Sequence, residues 1–186
     1  MRFATVAAMA MAAIAPALAK SDSAYTKIMT PDAKCKVVDR NEEEGWAVSK
    51  CPGYKGIDVW VGEGDLRAFV GYGPNGQDEA AYGSTFGPFN TTGETVEWRL
   101  KDGKPVATIL RWKVDGGPDM PKGEMLVVTQ LKAGNQCWIA VVAAHKNKNA
   151  NELARQAADE LAGTVDCATE TPTIVGTPDN DIFTTE

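Results

Sequence analysis

Apolar and polar residues alternate with a period of two along much of the middle of the chain. In the segment IDVWV, Ile57, Val59 and Val61 alternate with Asp58 and Trp60. Successive side chains of a β-strand point to opposite faces, so this period predicts a strand with one buried face.

Eight short segments with strand character follow one another, separated by turn residues. They are CKVVD, WAVSKC, GIDVWVG, LRAFVGYG, ETVEWRL, PVATILRWKV, EMLVVTQL and CWIAVVAA. The turns within four successive pairs are RNEEEG, EGD, KDGK and KAGNQ. Asp102-Gly103 is the strongest hairpin signal in the chain, and Gly134-Asn135 marks another tight turn. The pattern predicts four successive antiparallel hairpins.

One segment near the C-terminus has the 3.6-residue period of a helix. Its stripe of small and apolar residues consists of Ala150, Leu153, Ala154, Ala157, Ala158, Leu161 and Ala162. Asn149 followed by Glu152 resembles a capping box, and Gly163 is placed to end the helix in a left-handed turn. Because alanine dominates the stripe, we expect the helix to lie close against a sheet.

These elements predict an α+β fold. We expect a bent antiparallel sheet of seven or eight strands in successive hairpins, with one C-terminal helix packed on it. The alternative is a small closed β-barrel with an appended helix, because eight meandering strands are enough to close a barrel.

The first residues have the three parts of a secretory signal peptide. Arg2 precedes an apolar run from Phe3 to Ala15, and the small-residue triplet Ala17-Leu18-Ala19 follows. We expect cleavage after Ala19 and a periplasmic or secreted protein, since the short, Ala-rich segment is typical of Gram-negative exported proteins. No later segment has the apolar length of a transmembrane helix, so we predict no stable membrane insertion after cleavage.

The predicted domain organisation has three parts. Residues 1–19 form the signal peptide, and residues 20–168 form a single disulfide-braced α+β domain. Residues 21–34 are expected to be a lead-in with a short helix that stops at Pro31. Residues 169–186 are rich in Thr, Pro and acids, which predicts a flexible tail.

The four cysteines all follow the predicted signal, and an even number in an exported chain favours two disulfides. The strand after Cys137 leads away at about 3.3 Å per residue, and the helix returns at about 1.5 Å per residue over roughly twice as many residues. The chain therefore arrives back near Cys137 at Cys167. We predict Cys137–Cys167 and Cys35–Cys51. The spacings contain no CxxC pair, so neither a redox motif nor a zinc site is indicated.

Charge limits the partners. The chain has 19 basic and 25 acidic residues, a net charge of −6. Signal cleavage removes Arg2 and makes the balance more negative. Such a domain repels nucleic acids and anionic membranes, so we predict no nucleic-acid partner. A protein partner with a basic surface remains compatible with this charge.

No catalytic residue, metal ligand or cofactor is predicted. His145 is the chain's one histidine, and no serine lies in a G-x-S-x-G context. The segment GYGPNG matches a dinucleotide fingerprint by letters alone, since no βαβ unit surrounds it. The acids leave a carboxylate-dependent hydrolase as an alternative. The candidate acids are Glu42, Glu43, Glu44, Asp58, Glu63 and Asp65.

The stretch Tyr72–Gly93 has no clear strand or long helix, and loops of this length are uncommon unless they are functional or disordered. Its aromatics argue against disorder. They form either an aromatic recognition surface with neighbouring polar groups or the anchors of a long crossover. The predicted binding residues are Asp65, Arg67, Tyr72, Tyr82, Phe86 and Phe89.

These features favour an exported, non-catalytic binding or interaction protein. A specific version of this hypothesis is an inhibitor of a cationic hydrolase such as lysozyme, because an acidic, rigid module suits a basic target. The first alternative is a barrel-like carrier of a small apolar ligand, and the second is the carboxylate-dependent hydrolase.

Overall fold

A computed structural model describes residues 21–119 and 121–183, so the predicted signal peptide and its cleavage site lie outside the described residues. Within these ranges the chain forms ten strands and one α-helix. The elements are β1 (Ser21–Lys27), β2 (Lys36–Asn41), β3 (Trp46–Pro52), β4 (Asp58–Gly64), β5 (Arg67–Tyr72), β6 (Asn90–Lys101), β7 (Lys104–Asp115), β8 (Lys122–Gln130), β9 (Trp138–Ala143), α1 (Ala150–Leu161) and β10 (Thr173–Ile174). None of the helices described there is long and apolar enough to cross a bilayer.

The strands form two sheets. One has the order β2-β3-β4-β5, and the other has the order β1-β6-β7-β8-β9-β10. The four predicted hairpins are confirmed as β2–β3, β4–β5, β6–β7 and β8–β9. The single bent sheet of seven or eight strands is wrong, because the chain leaves one sheet after β5 and enters the other at β6. The alternative of a closed barrel is also wrong, since both sheets in the described ranges are open.

The hydrophobic pattern explains why the domain has three layers, which are the four-stranded sheet, the six-stranded sheet and α1. Strand β4 alternates, with Val59 and Val61 buried against the second sheet, so it needs a cover on one face only. Strands β8 and β9 are almost continuously buried, so they need a cover on both faces. The four-stranded sheet supplies one cover, and α1 supplies the other through a separate cluster that includes Ile109 and Val128.

Helix α1 packs on the six-stranded sheet as predicted, and its buried residues are all alanines. Gly163 follows the helix with φ +84°, which confirms the predicted left-handed turn, and its N–H donates to Gln130 Oε1 at 3.0 Å. The predicted capping box is wrong. Asn149 does precede α1, but its side chain makes no capping hydrogen bond.

Both predicted disulfides are confirmed. Cys35–Cys51 braces the first hairpin, and Cys137–Cys167 ties the start of β9 to the segment that follows α1. The described residues contain no free cysteine. Two such bonds are typical of a chain that folds in an oxidising compartment, outside the cytoplasm.

The N-terminal lead-in differs from its prediction. Residues 21–27 form the edge strand β1, antiparallel to β6, and the helical turn at Pro31–Ala33 is only a short 3₁₀ helix. Thr26 on β1 accepts a hydrogen bond from Trp98 Nε1 at 2.8 Å, so the strand covers the edge of the core.

Residues 169–183 also differ from the flexible tail that their composition predicts, and the remainder of that predicted tail, 184–186, lies outside the described residues. Strand β10 runs parallel to β9, and the Val175 N–H donates to Val141 O at 2.9 Å. Ile182 is buried, and Phe183 packs against the core between the sheets. The composition of this segment predicts flexibility, whereas a few apolar residues at suitable positions are enough to dock a segment on an existing core.

Candidate functional site

The crossover from β5 to β6 contains the aromatic residues that the sequence singles out. Tyr72 is 2% exposed and Phe86 is 1% exposed, so both belong to the core. The Phe86 ring lies 5.7 Å from Trp112 and 5.0 Å from Trp138, measured between ring centroids. These two aromatics therefore anchor the crossover and do not reach a partner.

Tyr82 lies on the outer face of the four-stranded sheet. Its hydroxyl packs directly over Gly62, where there is no room for a Cβ, and its ring centroid is 6.4 Å from that of Phe69. Burial raises the pKa of Tyr82, against a smaller lowering by a hydrogen bond with Gln77. Tyr82 fastens the crossover to the outside of the sheet, away from Phe86.

The other three predicted binding residues meet at one end of the molecule. The Arg67 guanidinium pairs with Asp65 and donates from Nε to Gly87 O at 2.9 Å. Its central carbon lies 5.8 Å from the centroid of the Phe89 ring. The structure therefore brings Asp65, Arg67 and Phe89 together, whereas the side chains of Tyr72 and Phe86 lie in the core and that of Tyr82 packs on the outer face of the four-stranded sheet.

A groove of about 910 Å³ opens between the two sheets at this end. Its walls are the β2–β3 loop, the β4–β5 turn, the first residues of β6 and the last residues of β7. Two large apolar side chains on these walls face solvent, since Leu66 is 69% exposed and Phe89 is 39% exposed. The volume lies in the range of ligand-binding clefts.

The β4–β5 turn has an unusual backbone. Gly64 pairs with Arg67, so the turn consists of Asp65 and Leu66, with φ of +49° and +58°. Positive φ at both central residues is the requirement of a type I′ turn, for which Asp-Gly or Asn-Gly is preferred. A bulky residue in this region costs about 1–2 kcal/mol.

Asn90 holds the turn in place. Its backbone N–H donates to Leu66 O at 3.0 Å, and its Oδ1 accepts from the Ala68 N–H at 3.1 Å. Its Nδ2 donates to Phe86 O and Pro88 O. One buried amide therefore connects the turn of one sheet to the crossover and to the start of the other sheet.

Sequence reasoning misses both Leu66 and Asn90. It places the turn on EGD, one residue too early, and so predicts Leu66 as the first residue of a strand. The exposed position of Leu66 follows from the register Gly64–Arg67, which no local pattern reveals. Asn90 gives no signal, because its role depends on residues brought together by the fold.

The charged residues on the groove walls are largely paired. Arg40 pairs with Glu42 at 3.3 Å, and Asp115 pairs with Lys122 at 3.0 Å. The hydrogen bond from Lys122 lowers the pKa of Asp115. Asp115 is therefore ionised near neutral pH and is unsuited to the role of general acid that a carboxylate-dependent hydrolase needs.

His145 has a carboxylate neighbour that the sequence did not predict. Its Nε2 lies 2.7 Å from Asp179 Oδ2, and its Nδ1 lies 3.0 Å from Glu124 O. Both ring nitrogens are therefore occupied. Burial alone raises the pKa of Asp179, but hydrogen bonds from Lys146, from His145 and from the Asp181 N–H together outweigh it and lower that pKa. This arrangement fastens residues 175–183 to the sheet.

Residues 21–119 and 121–183 contain no group of three or more His, Cys, Asp or Glu side chains placed to hold a metal ion. Comparison of the chain with protein-family models, with curated proteins and with solved structures finds no match. Function is therefore inferred from the groove, its apolar rim and its charges.

Proposed function

We propose that the protein is an exported, non-catalytic binding protein whose site is the groove between the two sheets. The observation that carries this proposal is the conformation of Leu66. The fold keeps a bulky apolar residue at positive φ and leaves its side chain in solvent. Strain of this kind persists where the surrounding structure enforces it, and it clusters at binding sites.

Leucine is a sterically unfavourable residue at positive φ. Glycine after Asp65 would form the same turn without steric cost, as Asp-Gly does in many hairpins. A leucine at this position raises the conformational free energy of the folded state and exposes apolar surface to water. Contact between the Leu66 side chain and a partner explains both costs, and Phe89 on the opposite wall gives the partner a second apolar contact.

Export is part of the proposal. The two disulfides favour an oxidising compartment, and the N-terminal pattern favours a signal peptide cleaved after Ala19. A periplasmic protein of a Gram-negative bacterium has both features.

The partner that fits best is a protein with a basic surface. The chain has a net charge of −6, and the exposed acids Glu42, Glu43 and Glu44 lie in the β2–β3 loop that borders the groove. Complementary charge accelerates association and disfavours partners of like charge. An inhibitor of a cationic hydrolase such as lysozyme is the specific form of this proposal.

The two alternatives have less support. A carrier encloses most of its ligand, whereas this groove is open and carries charged residues on its walls. A carboxylate-dependent hydrolase needs a general acid, and Asp115 on the groove wall does not suit that role, because its pKa is lowered.

Binding to basic proteins tests the proposal. The oxidised protein, purified from the periplasm of a bacterial host, is titrated by biolayer interferometry with lysozyme, cytochrome c and ribonuclease A at low and high salt. Lysozyme activity is followed in parallel by the clearing of a cell-wall suspension. We expect a complex with at least one of these proteins that weakens as salt is added, because the attraction between opposite charges is screened.

Two groove variants and two controls locate the contact. Leu66→Ser and Phe89→Ala should each weaken the complex about tenfold, as contact residues at the centre of an interface do. Val37→Ser removes a similarly exposed apolar side chain from β2, and Tyr82→Ala alters the outer face of the four-stranded sheet. Neither change should alter the affinity of the complex. If none of the three proteins binds, or if the controls weaken binding as much as the groove variants, the proposal is wrong.

A further inference from the structure

Glu63 occupies a distinctive position on the wall of the groove. It pairs with Ala47 on one side and with Ala68 on the other, in the registers β3–β4 and β4–β5. Residues directly opposite each other share a face of the sheet. One carboxylate therefore stands in a row between two methyl groups, immediately outside the buried row that contains Val61 and Val70.

The small neighbours leave space around this carboxylate. Alanine on each side gives Glu63 neither a hydrogen-bond donor nor a bulky cover, and the side chain is exposed to the groove. Among the residues that the structure describes, Glu63 has no side-chain hydrogen bond and no ion pair within 4.0 Å. An acceptor with free lone pairs on an apolar surface is suited to bind a cation from outside.

The nearby bases do not neutralise Glu63. The Arg67 guanidinium is held by Asp65, by Gly87 O and by the Phe89 ring. Arg40 lies in the same row, opposite Ala47, but it pairs with Glu42.

Lys113 is a further base on the groove wall. It alternates with Trp112 and Val114, which belong to the core between the sheets. Its direct partner on the neighbouring strand is Glu124. Among the described residues, no base on the groove wall forms an ion pair with Glu63.

We propose that the partner inserts a lysine or arginine side chain into the groove, with the cationic group on the Glu63 carboxylate. The methylene stem then lies against Leu66 and Phe89, since long basic side chains cover apolar surface while their charged ends stay polar. This inference rests on the proposed function and names what the groove recognises. Arg40 competes with the partner's cationic group for the Glu63 carboxylate, because it lies two strands from Glu63 in the same row of side chains.

Short peptides test this recognition directly. The probes are four acetylated, amidated pentapeptides of sequence Gly-Leu-X-Leu-Gly, in which X is arginine, lysine, norleucine or glutamate. Methyl signals of Ala47, Leu66 and Ala68 in the isotope-labelled protein report occupancy of the groove, and NMR titration measures weak dissociation constants. The arginine and lysine peptides should bind about fivefold more tightly than the norleucine peptide, the range of one exposed ion pair.

Three variants assign the preference to a residue. Glu63→Gln keeps the shape of the side chain and should remove the preference for arginine and lysine over norleucine. Arg40→Gln removes the competing cation and should strengthen binding of the arginine peptide by about twofold. Glu152→Gln makes the same change in net charge as Glu63→Gln, at an exposed residue of α1 on the other side of the six-stranded sheet. It should leave all peptide titrations unchanged.

The outcomes separate this inference from the proposed function. If norleucine and arginine peptides shift the groove signals equally, or if Glu63→Gln retains the preference, the groove binds but the cation inference is wrong. If no peptide shifts those three signals, or the shifts map to another surface, the inference is wrong. The binding experiment with basic proteins then decides independently whether the groove is a site at all.

Discussion

The guanidinium of Arg67 lies over the ring of Phe89, and this contact joins the two sheets at the mouth of the groove. Arg67 is the first residue of β5 in the four-stranded sheet, whereas Phe89 immediately precedes β6 in the six-stranded sheet. The contact therefore connects the β4–β5 turn to the segment that precedes β6. Under the proposed function, a partner would meet a site that is already formed, and this would limit the entropic cost of binding.

We expect Arg67→Met to weaken this connection without unfolding the domain. Methionine retains an apolar stem beside Phe89, but it loses the pairing with Asp65 and the hydrogen bond to Gly87 O. The free energy of unfolding should fall by about 1 kcal/mol, a typical value for such a hydrogen bond. The exchange rate of the Asn90 N–H, which donates to Leu66 O, should rise. Urea denaturation and amide exchange measure the two effects.

A second prediction concerns the backbone of Leu66. Leu66→Gly creates an Asp-Gly turn that matches the positive φ of both residues, so it should raise the free energy of unfolding by about 1 kcal/mol. It should also weaken partner binding, because the apolar side chain is gone. A stabilising change that removes function distinguishes a binding residue from a structural one.

Leu66→Ala is the matched control for this prediction. It removes nearly the same side chain but retains the Cβ, and therefore the steric cost of positive φ. Its stability should stay within about 0.5 kcal/mol of the parent protein, as for most surface substitutions. Equal stability of the glycine and alanine variants in urea would contradict the interpretation of strain.

A third prediction concerns the ion pairs between α1 and the six-stranded sheet. Arg99 is 7% exposed and donates to both oxygens of Asp159, with a shortest distance of 2.6 Å. Glu97 beside it accepts from Arg155 Nε at 2.7 Å, and this hydrogen bond raises the pKa of Arg155. These contacts connect β6 to the helix.

Arg99→Met should destabilise the domain by about 2 kcal/mol, because it leaves the partly buried Asp159 carboxylate without its cation. This loss in the free energy of unfolding is smaller than that for a fully buried ion pair, since the Asp159 side chain is 33% exposed. Arg40→Met removes a guanidinium from the exposed Arg40–Glu42 pair and should cost at most about 0.5 kcal/mol. Equal losses for the two variants in urea denaturation would show that burial of the pair is unimportant.

The fourth prediction is a pH dependence of the C-terminal segment. The lowered pKa of Asp179 means that its ionised form is favoured in the folded state. This stabilisation is fully present above the ordinary aspartate pKa of about 3.9 and is lost as the pH falls through the lower folded value. The N–H of Val175 should therefore exchange faster below about pH 4 than at pH 6, after correction for intrinsic exchange rates.

Asp179→Asn should loosen the same segment at neutral pH. Loss of the charge removes the ion pair with Lys146 and weakens the contact with His145, so Val175 exchange should rise about tenfold, or 1.4 kcal/mol. Asp181→Asn makes the same charge change at an exposed side chain and is the control. An acid dependence that persists in Asp179→Asn would assign the effect to another group.

Only part of the candidate site was accessible to prediction. Arg67, Asp65 and Phe89 were predicted, and they do meet. Leu66 and the apolar–acidic row around Glu63 were not, because their placement depends on the register of three strands. The aromatics of the crossover drew attention by composition, but aromatic side chains in a long connection pack into a core as readily as they face a partner.

The sequence by itself determined the local elements of this protein. Turn residues and a period of two specify hairpins, a period of 3.6 specifies α1, and the lengths of a strand and a helix bring Cys137 and Cys167 together. All these signals act over short distances along the chain. Only the tertiary structure decided which hairpins share a sheet and which ends enclose a groove. It also decided that residues 173–183 dock on the six-stranded sheet and the core. These outcomes depend on packing between segments far apart in the chain, where burial of apolar surface outweighs local preference.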